Sequence, residues 1–153
     1  MNHPLSEKLD LPPIDQVGFV YRNLEQALSL YQPLFGEFDI QEYGEFEYTY
    51  RGKQEKAELR IAFGYTGELQ IELIEWVSGG TPHKEFLDAG REGMHHIRFP
   101  IDDLDTHVSA LEQLGYESIW STRFGEGLAV AYMEKAGEPL LIELFENLHG
   151  NSG

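Results

Sequence analysis

Four side chains able to hold a metal ion, Gln16, Glu72, His96 and Glu143, stand at matching places in a pattern that the chain writes twice. Two carboxylates, one imidazole nitrogen and one amide oxygen make a mostly oxygen-donor set. It suits one divalent ion of the Zn, Ni, Co or Mn kind and leaves coordination positions for water or substrate. The two carboxylate charges neutralise a dication. A substrate with two adjacent oxygens can displace the waters, and the ion then acts as a Lewis acid on a carbonyl, stabilising the enolate left when the neighbouring carbon gives up a proton. A carboxylate is the natural carrier of that proton.

Such donors need elements that bring them together. Residues 14–21, rich in Val, Phe and Tyr between Pro13 and Asn23, predict a strand. Asn23 with Gln26 three places on is a capping-box pattern, and Leu24, Ala27, Leu28, Tyr31 and Leu34 recur at helical spacing up to Gly36. Period-two alternation then predicts strands near 38–43, 46–51, 58–63 and 69–76, the first two of which could form one interrupted strand. A loop with Gly79, Gly80 and Pro82 and a short helical piece at 83–89 lead to Gly93. There the order restarts, with a strand at 94–101 and Asp103 as N-cap of a helix that presents Leu104, Val108, Leu111 and Leu114 on one face before Gly115. Strands near 117–120, 128–133 and 140–145 complete the second unit.

The repeat holds residue by residue. Gln16-Val17-Gly18-Phe19 aligns with His96-Ile97-Arg98-Phe99, Asn23-Leu24 with Asp103-Leu104, and Leu69-Gln70-Ile71-Glu72-Leu73-Ile74 with Leu140-Leu141-Ile142-Glu143-Leu144-Phe145. The expected fold is therefore α+β, two tandem βαβββ modules at 14–78 and 94–147, with a linker and short helix at 79–93, a loose N-terminal arm at 1–13 and a tail at 148–153. Strand alternation turns Val17, Phe19, Ile71, Leu73, Ile142 and Leu144 toward the helices and leaves Gln16, Glu72, His96 and Glu143 on the opposite face. A lone Glu on a strand of an acidic protein is ordinarily solvated surface. Four donors at equivalent repeat positions are not explained that way.

Composition narrows the function classes. With 27 acidic residues against 11 Lys and Arg, a formal charge of -16 repels phosphate backbones, so no nucleic-acid partner is expected. The chain has no cysteine, which excludes disulfides, thiolate metal sites and cysteine nucleophiles. No apolar run reaches spanning length, so no membrane partner is expected, and the first residues lack the basic and apolar regions of a signal peptide, giving a cytoplasmic expectation.

The chain resembles the vicinal oxygen chelate superfamily of glyoxalases, bleomycin-resistance proteins and dioxygenases. Ile14-Asp15-Gln16-Val17, Gly93-Met94-His95-His96-Ile97 followed by Asp102-Asp103, and Leu141-Ile142-Glu143-Leu144 look like its marks, and the likeness covers about 14–146. The methylmalonyl-CoA epimerase branch is similar in its Gly-x-His-His stretch, whose second His is a ligand, and in an Ile-Glu-Leu near the C-terminus. Carried over, this makes His96 and Glu143 ligands and leaves His95 outside the coordination sphere. The chain departs from that branch in having Gln16 where the epimerases place a His and Glu72 where they often place a Gln; its Gln, Glu, His, Glu set is similar to that of eukaryotic-type glyoxalase I.

The resemblance implies sheets curved into a metal-containing cleft, a homodimer, and a small-molecule carbonyl or thioester substrate. It places Glu58, Arg60 and Ala62 along the cavity and makes Glu143 or Glu58 the catalytic carboxylate; the alternative for Glu58 and Arg60 is an exposed cross-strand ion pair. The expected activity is that of a divalent-metal-dependent lyase or isomerase, glyoxalase- or epimerase-like. The alternatives are a ligand-sequestering protein of the bleomycin-resistance type and a nonhaem iron dioxygenase, which would want a second His where Gln16 stands. Tyr48, Tyr50, Trp76, Trp120 and Phe124 could wall the cleft or fill the core, and 121–127 could be a mobile loop carrying Arg123 to an anionic substrate or an ordinary hairpin turn.

Overall fold

The computed structural model describes residues 9–148. The first module comprises β1 (Gln16–Val20), α1 (Leu24–Phe35), β2 (Asp39–Tyr50), β3 (Lys53–Thr66) and β4 (Leu69–Ser78); after α2 (Pro82–Asp88), the second comprises β5 (Gly93–Ile101), α3 (Leu104–Glu112), β6 (Tyr116–Arg123), β7 (Leu128–Lys135) and β8 (Leu141–Asn147). The strands close into a barrel in the order β1-β4-β3-β2-β6-β7-β8-β5, so each module contributes four strands in the same internal order. Within each module the first and last strands run parallel and the remaining pairs antiparallel. The modules meet at two seams: β1 lies antiparallel to β5 along its length, whereas β2 and β6 share only Thr49↔Ser121 and Tyr50↔Trp120.

Two layers of packing follow from strand alternation. Outside the barrel, Leu24, Ala27 and Leu28 of α1 cover Ala62, Ile71 and Leu73, and Leu104 and Leu111 of α3 cover Ala129, Ala131, Met133 and Leu144. Inside, Val20, Leu59, Ile61 and Ile74 meet Phe86 and Leu87 of α2, while Tyr48, Trp120, Val130 and Tyr132 fill the other side. Helix α2 thus plugs the lower end of the barrel. The expected inner wall of aromatics is core packing for Tyr48, Trp76 and Trp120, and Phe124 is exposed.

Several local expectations are corrected. The expected strands near 38–43 and 46–51 form the single interrupted strand that the sequence allowed, Asp39–Tyr50, with a register shift between Tyr43 and Phe46. Strand β3 starts well before residue 58, because Arg51 and Gly52 both take positive φ (47° and 83°) in a two-residue hairpin turn that lets Tyr50 pair with Lys53. Arg-Gly lacks the Asn-Gly signature of such turns. The arm is not loose throughout, since Leu9 and Leu11 pack against the core under α3; residues 1–8, and 149–153 of the expected tail, lie outside the described residues. Among the described residues no helix is long and apolar enough to cross a membrane.

A second repeat pair emerges in how the helices are tied to the barrel. Asn23 and Asp103 cap α1 and α3, accepting from the backbone N–H of Gln26 (2.8 Å) and Thr106 (3.2 Å). One residue further on, Glu75 accepts from the N–H of Leu24 at 2.9 Å and Glu146 from that of Leu104 at 2.8 Å. Each last strand therefore sends a carboxylate to a helix N-terminus, where orphan donors and the positive end of the dipole receive it. Glu146→Ala removes the bond and leaves a buried N–H unmet, so urea denaturation should show a loss of roughly 1–3 kcal/mol, with metal content unchanged.

Candidate metal centre

The first and last strands of the two modules lie side by side in the order β4-β1-β5-β8. Each sends one donor inward across this seam. His96 Nε2 is 3.1 Å from Glu72 Oε1, 3.0 Å from Glu143 Oε1 and 3.0 Å from Gln16 Oε1. All four residues are buried, His96 completely, and only the two carboxylates keep slight solvent contact. An ion held at about 2.0–2.2 Å by N and O donors has neighbouring donors roughly 3 Å apart when they subtend right angles. The spacings around His96 have that value.

The donor chemistry fits a cation as well. Three oxygen acceptors converge on a single ring nitrogen, which offers at most one proton among them. Gln16 Nε2 donates to Gln70 Oε1 at 2.7 Å, and Gln70 donates in turn to Tyr65 Oη at 2.8 Å, a chain that holds the Gln16 amide oxygen inward. That oxygen lies 3.2 and 3.3 Å from the Glu72 and Glu143 carboxylate oxygens, a facing of acceptors that the reversed amide would relieve for a proton and that a dication would satisfy as it stands. Glu72, His96 and Glu143 could hold the ion, with the Gln16 amide oxygen as a fourth donor.

Gly18 makes the arrangement sterically possible. It sits between His96 on β5 and Glu72 on β4 in the cross-strand register, and a Cβ at this position would fall inside the His96 ring. Strand glycines often mark such close approaches, which is the signal that could have identified Gly18 from sequence. Electrostatics then set the state of His96. Burial opposes the imidazolium, but hydrogen bonds and charge from Glu143 and then Glu72 override it and raise its pKa to about 9.

Beside the donors, reached through Gln70 and Arg98, lies a cleft of about 1180 Å³ walled by Tyr43, Phe63, Tyr65 and Phe145. Arg98 also lines it, its guanidinium 4.3 Å from the Phe145 ring centroid and doubly bonded to Asp15 at 2.8 and 3.0 Å. The expected lining by Glu58, Arg60 and Ala62 is corrected. Leu59 and Ile61 point into the barrel and Ala62 packs under α1, so β3 has the opposite facing from the one expected. Arg60 bonds Glu25 at 2.8 Å and Glu75 at 3.0 Å on the outer face, and Glu58, between the inward Ala57 and Leu59, receives Ser78 Oγ at 3.3 Å. Arg123 ends β6, where it bonds Asp105 at 2.9 Å, and the Phe124 N–H to Leu128 carbonyl bond (2.8 Å) closes a hairpin turn.

Comparison with known proteins agrees with this geometry at the level of family and fold. The model of the Glyoxalase/Bleomycin resistance protein/Dioxygenase superfamily matches residues 15–150. The Bacillus subtilis (strain 168) protein YqjC, described as uncharacterized, is 24% identical over 136 residues, 87% of this chain and 91% of its own. Methylmalonyl-CoA epimerase from Mycobacterium tuberculosis superposes with a TM-score of 0.62 at 21% identity, covering 90% of this chain and 89% of the other. A variant of the Streptomyces coelicolor methylmalonyl-CoA epimerase, in complex with 2-nitronate-propionyl-CoA, gives a TM-score of 0.63 at 20% identity, covering 94% and 99%.

Two outcomes are expected of the centre. Gly18→Ala displaces the His96 ring, so zinc binding measured by competition with a chromophoric chelator should fall sharply, and stability by roughly 1–3 kcal/mol as for other overpacked sites. With a His96 pKa of about 9, a proton and a cation compete for Nε2 at neutral pH. Apparent metal affinity should therefore rise with pH and level off above about 9, and calorimetry at neutral pH in buffers of differing ionisation enthalpy should show close to one proton released per ion bound.

Proposed function

This chain belongs to the glyoxalase/bleomycin resistance protein/dioxygenase superfamily, and we propose that it is a divalent-metal-dependent isomerase- or epimerase-type enzyme that moves a proton on the carbon next to a carbonyl. The observation that carries this reading is the convergence of Gln16, Glu72 and Glu143 oxygens on His96 Nε2, next to Gln70 and Arg98, which line an open cleft. A bound dication supplies a Lewis acid for the carbonyl oxygen and so acidifies the neighbouring C–H.

The chain's own residues do the rest. His96, Gln16, Glu72 and Glu143 would hold the ion, and full burial of His96 and Gln16 keeps their donor atoms oriented. Glu143 is the proposed base: it neighbours Arg98, which lines the cleft, across the strands, and its carboxylate retains slight solvent contact. Glu72 faces the same point from the other module, so a carboxylate stands on either side of a substrate held there. Glu58 takes no part in this reading because it faces away. The aromatic walls exclude water and pack against an apolar substrate body.

The substrate class follows from charge. CoA thioesters are ligands of a structural neighbour, but here Asp10, Asp15, Glu68 and Asp102 line the cleft, and the Arg98 guanidinium is already engaged by Asp15. Such a rim repels a polyphosphate. We therefore favour a small carbonyl compound of low negative charge over a CoA ester.

Elemental analysis should find about one divalent ion per chain, and small 2-oxo compounds should exchange their α-protons in deuterated water only with the loaded protein. Glu143→Gln keeps an oxygen donor but removes the base, so exchange should fall on the order of 10²- to 10⁴-fold, while coenzyme A should compete poorly. Absence of metal after incubation with Mn, Co, Ni and Zn overturns the enzyme reading in favour of a ligand-sequestering protein.

A further inference from the structure

The other face of the His96 ring meets a second histidine. His96 Nδ1 lies 3.0 Å from His95 Nδ1, and both rings are fully buried. Consecutive strand residues normally point to opposite faces, but β5 is irregular here: Gly18 pairs with His96 and Phe19 with Met94, so His95 has no partner on β1. A bulge of this kind re-aims a side chain. It sets the His95 ring nearly perpendicular to His96, 5.3 Å between centroids, and stacks it at 5.1 Å on His83 of α2, with Phe86 edge-on at 5.0 Å. His83 in turn is joined to the Tyr132 hydroxyl at 3.0 Å.

Two ring nitrogens at that distance share one hydrogen, and its owner decides what His96 can do. Were it carried by His95 Nδ1, a neutral His96 would have its own proton on Nε2, where the three oxygens converge, and no lone pair for a cation. In the opposite arrangement His96 carries the hydrogen on Nδ1 and donates it to His95 Nδ1, leaving its Nε2 lone pair free to face the three oxygens. A cation among the three oxygens selects that arrangement, with His96 donating from Nδ1 and His95 Nδ1 accepting.

We propose that His95 is a positioning residue for the metal centre: held by the β5 bulge and the stack on His83, it accepts the Nδ1–H of His96, locks the tautomer whose Nε2 lone pair faces Gln16, Glu72 and Glu143, and fixes the ring's plane. This rests on the metal reading of the site. Ligating histidines commonly depend on such a partner for orientation and basicity; here the partner is a second imidazole, and through it the linker helix α2 is coupled to the centre.

The test combines a spectroscopic signature with a pair of variants. In ¹⁵N-labelled wild type loaded with zinc, a through-hydrogen-bond coupling should join a protonated His96 Nδ1 to an unprotonated His95 Nδ1. His95→Leu removes the acceptor and should weaken zinc binding by about 10- to 100-fold, whereas His95→Asn, whose side-chain oxygen occupies the place of Nδ1, should restore most of it. Melting of the metal-free proteins controls for folding. Coupling with the proton on His95 Nδ1, or equal zinc affinity in wild type and His95→Leu, overturns the positioning role alone. A wild type that binds no zinc overturns the metal reading and this role with it.

Discussion

The structure depends on one electrostatic constraint, the burial of two carboxylates and an amide oxygen around a single imidazole nitrogen. Removing ionised groups from water costs several kcal/mol each unless they are paired with opposite charge at close range. Here the cationic partner at the contact point is a proton on His96 Nε2, shared with Glu72 at 3.1 Å and Glu143 at 3.0 Å. This pairing accounts for the rise in the His96 pKa despite complete burial. A dication at the same point offers more charge to more of the acceptors, which is why the donor set reads as a metal centre and not as a stabilising ion pair.

The rest of the fold supplies the means of holding that cluster still. Neither module alone has more than two of the donors, so the centre exists only because β1 and β5 run antiparallel along the seam and bring β4 and β8 to either side. Gly18 gives the His96 ring room, Gln70 and Tyr65 hold the Gln16 amide, and the bulge at His95 places an acceptor behind the ring. On the outside, Glu75 and Glu146 tie the helix N-termini to β4 and β8, the same two strands that carry Glu72 and Glu143. The strand that delivers each carboxylate of the cluster is thus anchored three residues further on.

The cleft beside the centre has a different character from the centre itself. Its walls are aromatic and its rim acidic, and its guanidinium is braced between Asp15 and the face of Phe145. A braced Arg98 lies beside Glu143 in the sheet and contributes positive potential next to the proposed base without being free to capture an anion.

How much of this was legible in advance divides along a physical line. The sequence by itself determined the two βαβββ modules and the facing of β1, β4, β5 and β8, because a residue-level repeat and strict alternation are properties of neighbouring residues. Gln16, Glu72, His96 and Glu143 followed from that parity. The facing of β3 did not follow, because its phase relative to β4 depends on a register shift beside Glu58 and on a hairpin turn at Arg51-Gly52, both fixed by pairing between strands. The same holds for His95, which alternation assigns to the face opposite His96 until pairing with β1 skips it. Tertiary structure alone decided where the donors meet, since their convergence depends on the closure of two sheets and on the space left by a missing Cβ at Gly18.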